Sequence, residues 1–499
     1  MVKRSAGELL FSIQVDRSGG TAISTQLYSA MRRMILSGDL PAGRRLPSSR
    51  TLADELAVSR TTALSAFERL AAEGLIVSRT GSGSYVAHSA MQSRPAAVLE
   101  VTAAEVAPSS TKLADLITDA SPRLLQRLEH PQKPRAFVTG LPDYDAFPLP
   151  VWARLTAEHW RRPRDQVMSY SDANGHPRLR QAIAEHLRSN RGIPCDAEQI
   201  FIVNGAQQAF DLIGRMLLNP GDPVWFENPG AIGARNSLVA CGARIVPVPI
   251  DAEGMSVSAA KVLEPRFRLA FVTPSHQHPT GIEMSLARRG ELLAAAAEQD
   301  AWIIEDDYDG EFRYDGRPLP TLKSADASER VFYVGTFSKT LFPALRLGFY
   351  LAPRPLVSTF RDLSGAFLQG VPSSIQAVLA AFIEEGHFAT HLRRMRGIYA
   401  ARHEAFHAAA RKHLAGRLLF RPSVAGFHVS GSFVETRTDE NRFAREADAA
   451  NLTVSPIGRF CIEGARPEPG VVLGVSAVNE RAIASGVEAL AGLFDRLQP

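Results

Sequence analysis

Apolar residues fall at helical spacing near the start of the chain. Ile23, Leu27, Met31, Met34 and Ile35 form one stripe, and Gly38 predicts its stop. Ser48-Ser49 predicts the start of a second helix carrying Leu52, Ala53 and Leu56. Ser59 predicts a cap for a third, with Leu64, Phe67 and Leu70 on one face and Gly74 at its end. Leu75-Ile76-Val77, a turn at Gly81-Ser82-Gly83, and Tyr85-Val86 then read as a β-hairpin. The next stretch is rich in Ala, Ser and Pro and reads as a linker, with a short helix on either side of Pro122. From Phe137 onward, apolar runs at 199–203, 268–273, 302–305 and 331–334 alternate with longer helical patterns. That alternation predicts parallel strands joined by crossover helices. The expected organisation is a helical domain with a wing at 15–88, a linker at 89–133, and an α/β body at 134–499.

Composition narrows the class. With 499 residues, 45% of them hydrophobic, the chain can build more than one core. Cys195, Cys241 and Cys461 are too few and too scattered for a disulfide scaffold, so a reducing cytoplasm is expected. No run of 18 apolar residues predicts a membrane span, and the first 20 residues lack a secretory core. Residues 1–90 hold eleven Lys/Arg against seven Asp/Glu, whereas the remainder balances at 45 of each. All of the net charge of +4 thus sits in the first fifth, which suggests a polyanionic partner there.

A helix, a short turn and a second helix can set the second helix in a DNA major groove. Its start carries Ser59, Arg60, Thr61 and Thr62. Arginine reads guanine edges, while hydroxyls and helix-start amides hold phosphates. Arg50 opens the preceding helix, where a cation opposes the helix dipole unless a phosphate answers it. Gly83 lets the hairpin backbone approach a groove closely. The same periodicity also suits a small helical adaptor. The text Leu40-Pro41-Ala42-Gly43, Leu46-Pro47-Ser48-Ser49-Arg50-Thr51-Leu52-Ala53, Val58-Ser59-Arg60-Thr61-Thr62 and Gly83-Ser84-Tyr85-Val86 resembles the N-terminal domain of the GntR family of bacterial transcription regulators. The resemblance covers residues 21–86. It implies double-stranded DNA contacts through Arg50, Arg60 and the Gly83 wing.

In the body, Ser338-Lys339 follows an apolar strand, with Thr336 beside it and Arg346 soon after. Asn204-Gly205-Ala206-Gln207 joins a strand to a helix, a common anion site. The strand ending Glu305-Asp306-Asp307-Tyr308 places carboxylates at a sheet edge where ligands bind, or where they merely cap the next helix. A pyridoxal cofactor needs a lysine, a phosphate cradle and a carboxylate opposite its ring nitrogen. With Tyr170, Gly175, Leu179-Arg180, Asn228-Pro229-Gly230 and Pro279-Thr280-Gly281, the body resembles fold-type I aminotransferases. The implied fold is a mostly parallel sheet with a smaller C-terminal α+β lobe. The resemblance makes Lys339 the aldimine lysine, Asp306 the partner of the ring nitrogen and Tyr308 that of the ring hydroxyl. Gly205, Ala206, Gln207, Thr336, Ser338 and Arg346 become the phosphate cradle of pyridoxal 5'-phosphate.

Two positions depart from the family pattern. Ala231 stands where many relatives carry an aromatic that stacks on the ring, and His278 where they often carry Asn. His278 either replaces that hydrogen bond or lines the pocket wall. Arg459 and Arg466 are the candidates for holding an effector carboxylate. Joined on one chain, the two domains resemble the MocR (GabR-like) branch of the GntR family. That branch implies a homodimeric, promoter-binding regulator that senses an amine or amino-acid-like effector by exchange at Lys339. The alternative is an active aminotransferase with an appended DNA-binding domain.

Overall fold

The computed structural model describes residues 10, 13–79, 82–88, 114–126, 131, 133–314, 319–421, 425–462 and 468–497. Gly81 of the hairpin turn, Arg466 and most of the expected linker lie outside them. The chain divides into two units, Met1–Lys112 and Leu113–Pro499.

The first unit holds helices α1 (Ile23–Ser37), α2 (Ser49–Glu55) and α3 (Arg60–Ala72), then strands β1 (Ile76–Arg79) and β2 (Gly83–Val86). Gly38 ends α1 in the left-handed conformation, φ 89°. The Ser48 and Ser59 side chains accept from the Thr51 and Thr62 amides, capping α2 and α3 as their positions predict. The strands pair antiparallel, with Ile76 opposite Val86 and Arg79 opposite Gly83. One expected core position is displaced. Leu64 is 44% exposed, and the inward stripe of α3 is Ala63, Ala66, Phe67 and Leu70. The two alanines let α3 pack closely, which turns Leu64 outward.

The second unit is built on an eight-stranded mixed sheet. In chain order its strands are β3 (Ile200–Val203), β4 (Pro223–Asn228), β5 (Arg244–Asp251), β6 (Gly254–Met255), β7 (Leu269–Val272), β8 (Trp302–Asp306), β9 (Val331–Thr336) and β10 (Gly348–Leu351). Across the sheet the order is β3-β10-β9-β8-β7-β4-β5-β6. The strands from β9 across to β5 run parallel, and β10 lies antiparallel between β9 and β3. Near-continuous burial along β3, β7 and β8 fits strands covered on both faces. Ile202, Phe349 and Tyr333 enter one flanking core, and Phe201, Phe271 and Tyr350 enter another. A smaller antiparallel sheet, β11 (Leu418–Phe420), β12 (His428–Phe433), β13 (Ser455–Pro456) and β14 (Gly470–Gly474), forms the C-terminal lobe with its own core. No helix among the described residues is long and apolar enough to cross a membrane.

Ahead of the sheet, residues 123–126 lie strapped to this unit. Arg235 donates to Arg123 O at 2.8 Å, and the Asn236 amide bonds both the N–H and the C=O of Leu125. Arg459 donates to Gln126 O at 2.8 Å.

Candidate functional sites

In the first unit, Arg50, Ser59, Arg60, Thr61 and Gly83 are exposed, and Thr62 is half-buried. Arg50 and Arg60 stand in the first turns of α2 and α3. Ser59 also has a structural task, since its hydroxyl accepts from the Thr62 amide at 3.0 Å. Sequence reasoning passed over Arg45. Its backbone bridges to Tyr85, and a Cβ on Gly83 would lie 3.4 Å from its guanidinium nitrogen. Gly83 has φ 104°, so two features hold the wing residue: the left-handed backbone, and an arginine across its face. Consecutive arginines at 44 and 45, just before the Leu-Pro-Ser-Ser motif, were the available signal.

In the second unit, strand topology gathers the other candidates. The parallel strands β3, β8 and β9 end at Val203, Asp306 and Thr336, and β10 begins beside them at Gly348. Asn204 and Gly205 follow β3, and Gly205 (φ 83°) caps a helix, α4 (Ala206–Leu217), that no side chain caps. The first amides of α4, including those of Ala206 and Gln207, are therefore donors at the positive end of a helix dipole. A Cβ on Gly205 would lie 3.4 Å from Arg346 Nη2, and Arg346 donates to Asn204 O at 3.2 Å. Gly348 closes the cradle from below. A Cβ there would lie 3.0 Å from Ala206 N.

Thr336 caps the short helix that carries Ser338 and Lys339, its hydroxyl accepting from Ser338 N at 3.2 Å. Lys339 Nζ donates to Gly140 O at 2.6 Å. A side chain at Gly140 would collide with it, since a Cβ would stand 2.6 Å from Nζ. Asp306 is 8% exposed, and its Oδ1 has no hydrogen-bond partner. Burial pushes its carboxyl well above the usual range, Asp307 and Asp309 add to this, and Lys339 opposes it. An orphaned buried carboxyl is costly unless a cation comes to it. A pyridinium nitrogen is such a cation, so lysine, carboxyl, amides and arginine together suit pyridoxal phosphate.

Tyr308 donates to His276 O at 3.0 Å, and its oxygen lies 3.1 Å from His276 Nδ1. His276 Nδ1 is also 2.9 Å from Asp309 Oδ2. His278 packs against Tyr308, His428 and Phe460, with centroids at 5.7, 5.5 and 5.1 Å. Burial, then Lys339, pushes His278 down to about 3, and burial holds His428 well below the ordinary histidine value. Both rings are neutral at pH 7. Their grouping was not legible, because His428 comes from the C-terminal lobe. Of the two arginines proposed for a carboxylate, Arg459 is engaged with Gln126 O. Ala231 caps the helix Ile232–Ala240, and its side chain packs on the core.

Residues 23–86 match the family of bacterial regulatory proteins, gntR family, and residues 137–460 match aminotransferase class I and II. The probable rhizopine catabolism regulatory protein MocR of Rhizobium meliloti is 40% identical, across 97% of this chain and 96% of the relative. Among solved structures, the kynurenine aminotransferase of Pyrococcus horikoshii, crystallised with PMP, superposes with a TM-score of 0.68 at 25% identity, covering 78% of this chain and 96% of that one. The alpha-aminoadipate aminotransferase LysN of Thermus thermophilus, bound to N-(5'-phosphopyridoxyl)-L-leucine, gives 0.66 at 27%, covering 77% and 95%. With a gntR-type winged helix joined to a class I and II aminotransferase fold, and a regulator matching almost end to end, the chain belongs to the MocR branch of the GntR family of transcription regulators.

Proposed function

We propose that this regulator binds promoter DNA through Arg50, Ser59, Arg60, Thr61, Thr62 and the Gly83 wing, and senses an amine or amino-acid-like effector at a pyridoxal 5'-phosphate site centred on Lys339. The carrying observation is the buried, partnerless Asp306 Oδ1 at the sheet edge that also presents Lys339 and the amides of α4. When bound, pyridoxal phosphate supplies an aldehyde that takes up primary amines and a ring that withdraws electrons. Asp306 would pair with the ring nitrogen and Tyr308 with the ring hydroxyl, and His278 would wall the pocket. Gly205, Ala206, Gln207, Thr336, Ser338 and Arg346 would hold the phosphate. Gly140 O is within reach of Lys339 Nζ to receive the lysine when an effector amine displaces it.

The working form in this reading is a homodimer. Supporting it, Met168, Tyr170 and Phe367 are 71%, 91% and 71% exposed, an unusual outlay of large apolar side chains. The effector must favour one DNA-binding state by about 3 kcal/mol or more to switch most of the population. The test joins two readouts on the intact protein: the visible absorption of the bound cofactor and the affinity for promoter DNA, each during amine titration. An amine that shifts both together supports the reading, and Lys339→Ala should abolish both responses. DNA binding that ignores every amine in the parent protein would refute it. Conversion to the pyridoxamine form, reversed by a keto acid, would favour a working aminotransferase.

A further inference from the structure

Tyr308 has one hydroxyl proton and two contacts with a single residue. The hydroxyl donates to His276 O at 3.0 Å, and its oxygen lies 3.1 Å from His276 Nδ1. A tyrosine that turns its proton toward a ring oxygen gives up the bond to His276 O. The contact with Nδ1 survives that turn, provided that Nδ1 brings a proton of its own.

Asp309 ensures that it does. Its Oδ2 lies 2.9 Å from the same Nδ1, and a carboxylate oxygen only accepts. Nδ1 therefore carries the proton and shares it between Asp309 and the Tyr308 oxygen. His276 Nε2 is buried without a hydrogen-bond partner, as the bare nitrogen of that tautomer. The His276 and Asp309 side chains are 3% and 1% exposed, so water does not compete for either. Arg191 and Arg313 line a small cavity with the pair, but they are engaged with Asp307 and Glu283. The His428 ring packs on His276 at 4.7 Å, and Asp306 and Glu227 act on Tyr308 alongside Asp309.

The C-terminal lobe clamps the pair. Gly426 has φ 81°, and a Cβ on it would stand 2.2 Å from His276 Nδ1 and 2.6 Å from Asp309 Oδ2. Its N–H donates to Phe312 O at 2.8 Å. Its carbonyl accepts from Tyr314 Oη at 2.6 Å and from His403 Nε2 at 2.9 Å. Only a glycine, held by three bonds, closes this tightly over the two side chains.

We infer that His276 and Asp309 are positioning residues for Tyr308: Asp309 fixes the ring tautomer, and His276 Nδ1–H holds the phenol oxygen where it donates to the cofactor's ring oxygen. The inference rests on the pyridoxal phosphate reading above. It goes further in giving a task to two residues that have no contact with the cofactor in that reading.

The test is a pH titration of the visible band in the intact, cofactor-loaded protein. The band reports a proton shared between the Lys339 linkage and the ring oxygen. A donor on that oxygen stabilises it as an oxide and so lowers the midpoint. Tyr308→Phe removes the donor and should raise the midpoint by about 1–2 pH units, the worth of a hydrogen bond to a charged group. His276→Leu should raise it by about 0.5–1 unit, and His276→Asn, which restores an N–H near the place of Nδ1, should bring it back toward the parent. On the Tyr308→Phe background His276→Leu should add nothing, because it acts through the phenol. A His276→Leu midpoint equal to the parent's, or a shift that persists in full without the Tyr308 hydroxyl, overturns the inference and leaves the cofactor reading standing. A protein that shows no visible band with pyridoxal phosphate overturns both. Where His276→Leu does not fold, His276→Asn decides: a midpoint near the parent supports the inference, and one at the Tyr308→Phe value overturns it.

Discussion

Gly348 offers a direct test of how the sheet builds the phosphate cradle. It is the first residue of β10, and an added Cβ would stand 3.0 Å from Ala206 N and from the Gly205 carbonyl carbon. Ordinary contacts of this kind lie at about 3.5–4.0 Å, so Gly348→Ala must part strand and helix by roughly 0.5 Å. The atoms in the way belong to backbone and cannot rotate aside. They are also the amide end that would face a phosphate. Weakening one charge-assisted hydrogen bond there costs about 1.5–3 kcal/mol, a loss of roughly 10- to 100-fold in cofactor affinity. The assay is an equilibrium titration of the cofactor-free protein with pyridoxal phosphate, followed by absorbance, beside thermal melting of the same sample. Gly397→Ala is the control. It sits in the helix His387–His413 with no atom within 4 Å of the new Cβ, and should gain about 1 kcal/mol of helix stability without touching cofactor affinity. If Gly348→Ala binds pyridoxal phosphate within about twofold of the parent, the cradle is not where the geometry puts it.

Three further outcomes are expected. Asp306→Asn removes a buried carboxyl that has no partner for Oδ1, so the cofactor-free protein should melt higher while cofactor affinity falls; a parallel change in both would refute this. Burial raises the Glu227 carboxyl from 4.5 to about 7. The folded chain therefore holds a proton that the unfolded chain has lost, and this contribution to stability falls as pH rises through that window. Glu227→Gln should flatten the pH dependence of urea unfolding between pH 5 and 8 by about 3 kcal/mol, and an unchanged slope refutes it. Arg60→Ala should weaken promoter binding roughly 10- to 100-fold while changing stability by less than about 0.5 kcal/mol, whereas Ser59→Ala should cost about 1 kcal/mol of stability through the lost cap; anisotropy and melting separate the two.

The winged-helix unit was readable because its signals are local. The Ser48 and Ser59 caps and the Gly38 stop each act within a few residues of themselves. Leu64 was misplaced for a physical reason: alanines weigh little in an apolar pattern, yet Ala63 and Ala66 form the tight face of α3. In the body, apolar runs revealed the strands but not their direction. The antiparallel course of β10 depends on pairing with β3 and β9, which periodicity does not encode. Lys339, Asp306 and Arg346 were legible as residue types at strand ends. The steric demand at Gly140 and Gly348, and the approach of His428 to His278, arise from long-range packing and leave no mark on neighbouring sequence.

The segment from Ile457 to Ile462 is stitched to the large lobe. Asn228 bonds both the N–H and the C=O of Ile462, at 2.8 and 3.4 Å, and Gly230 N donates to Phe460 O at 3.0 Å. The bond from Arg459 to Gln126 O adds the strap of residues 123–126 to the same seam. Bonds away from this seam tie the lobes as well, since His428 and Ser430 both reach Pro279 O. Phe460 sits in the seam and carries the ring that packs against His278. The Phe460 wall of the pocket is therefore fixed to the large lobe by main-chain bonds on either side of its ring, so the contact with His278 is set by backbone and not by side-chain packing alone. The strap of residues 123–126 is thus held on both sides of the seam, to the large lobe through Arg235 and Asn236 and to Arg459 beyond it.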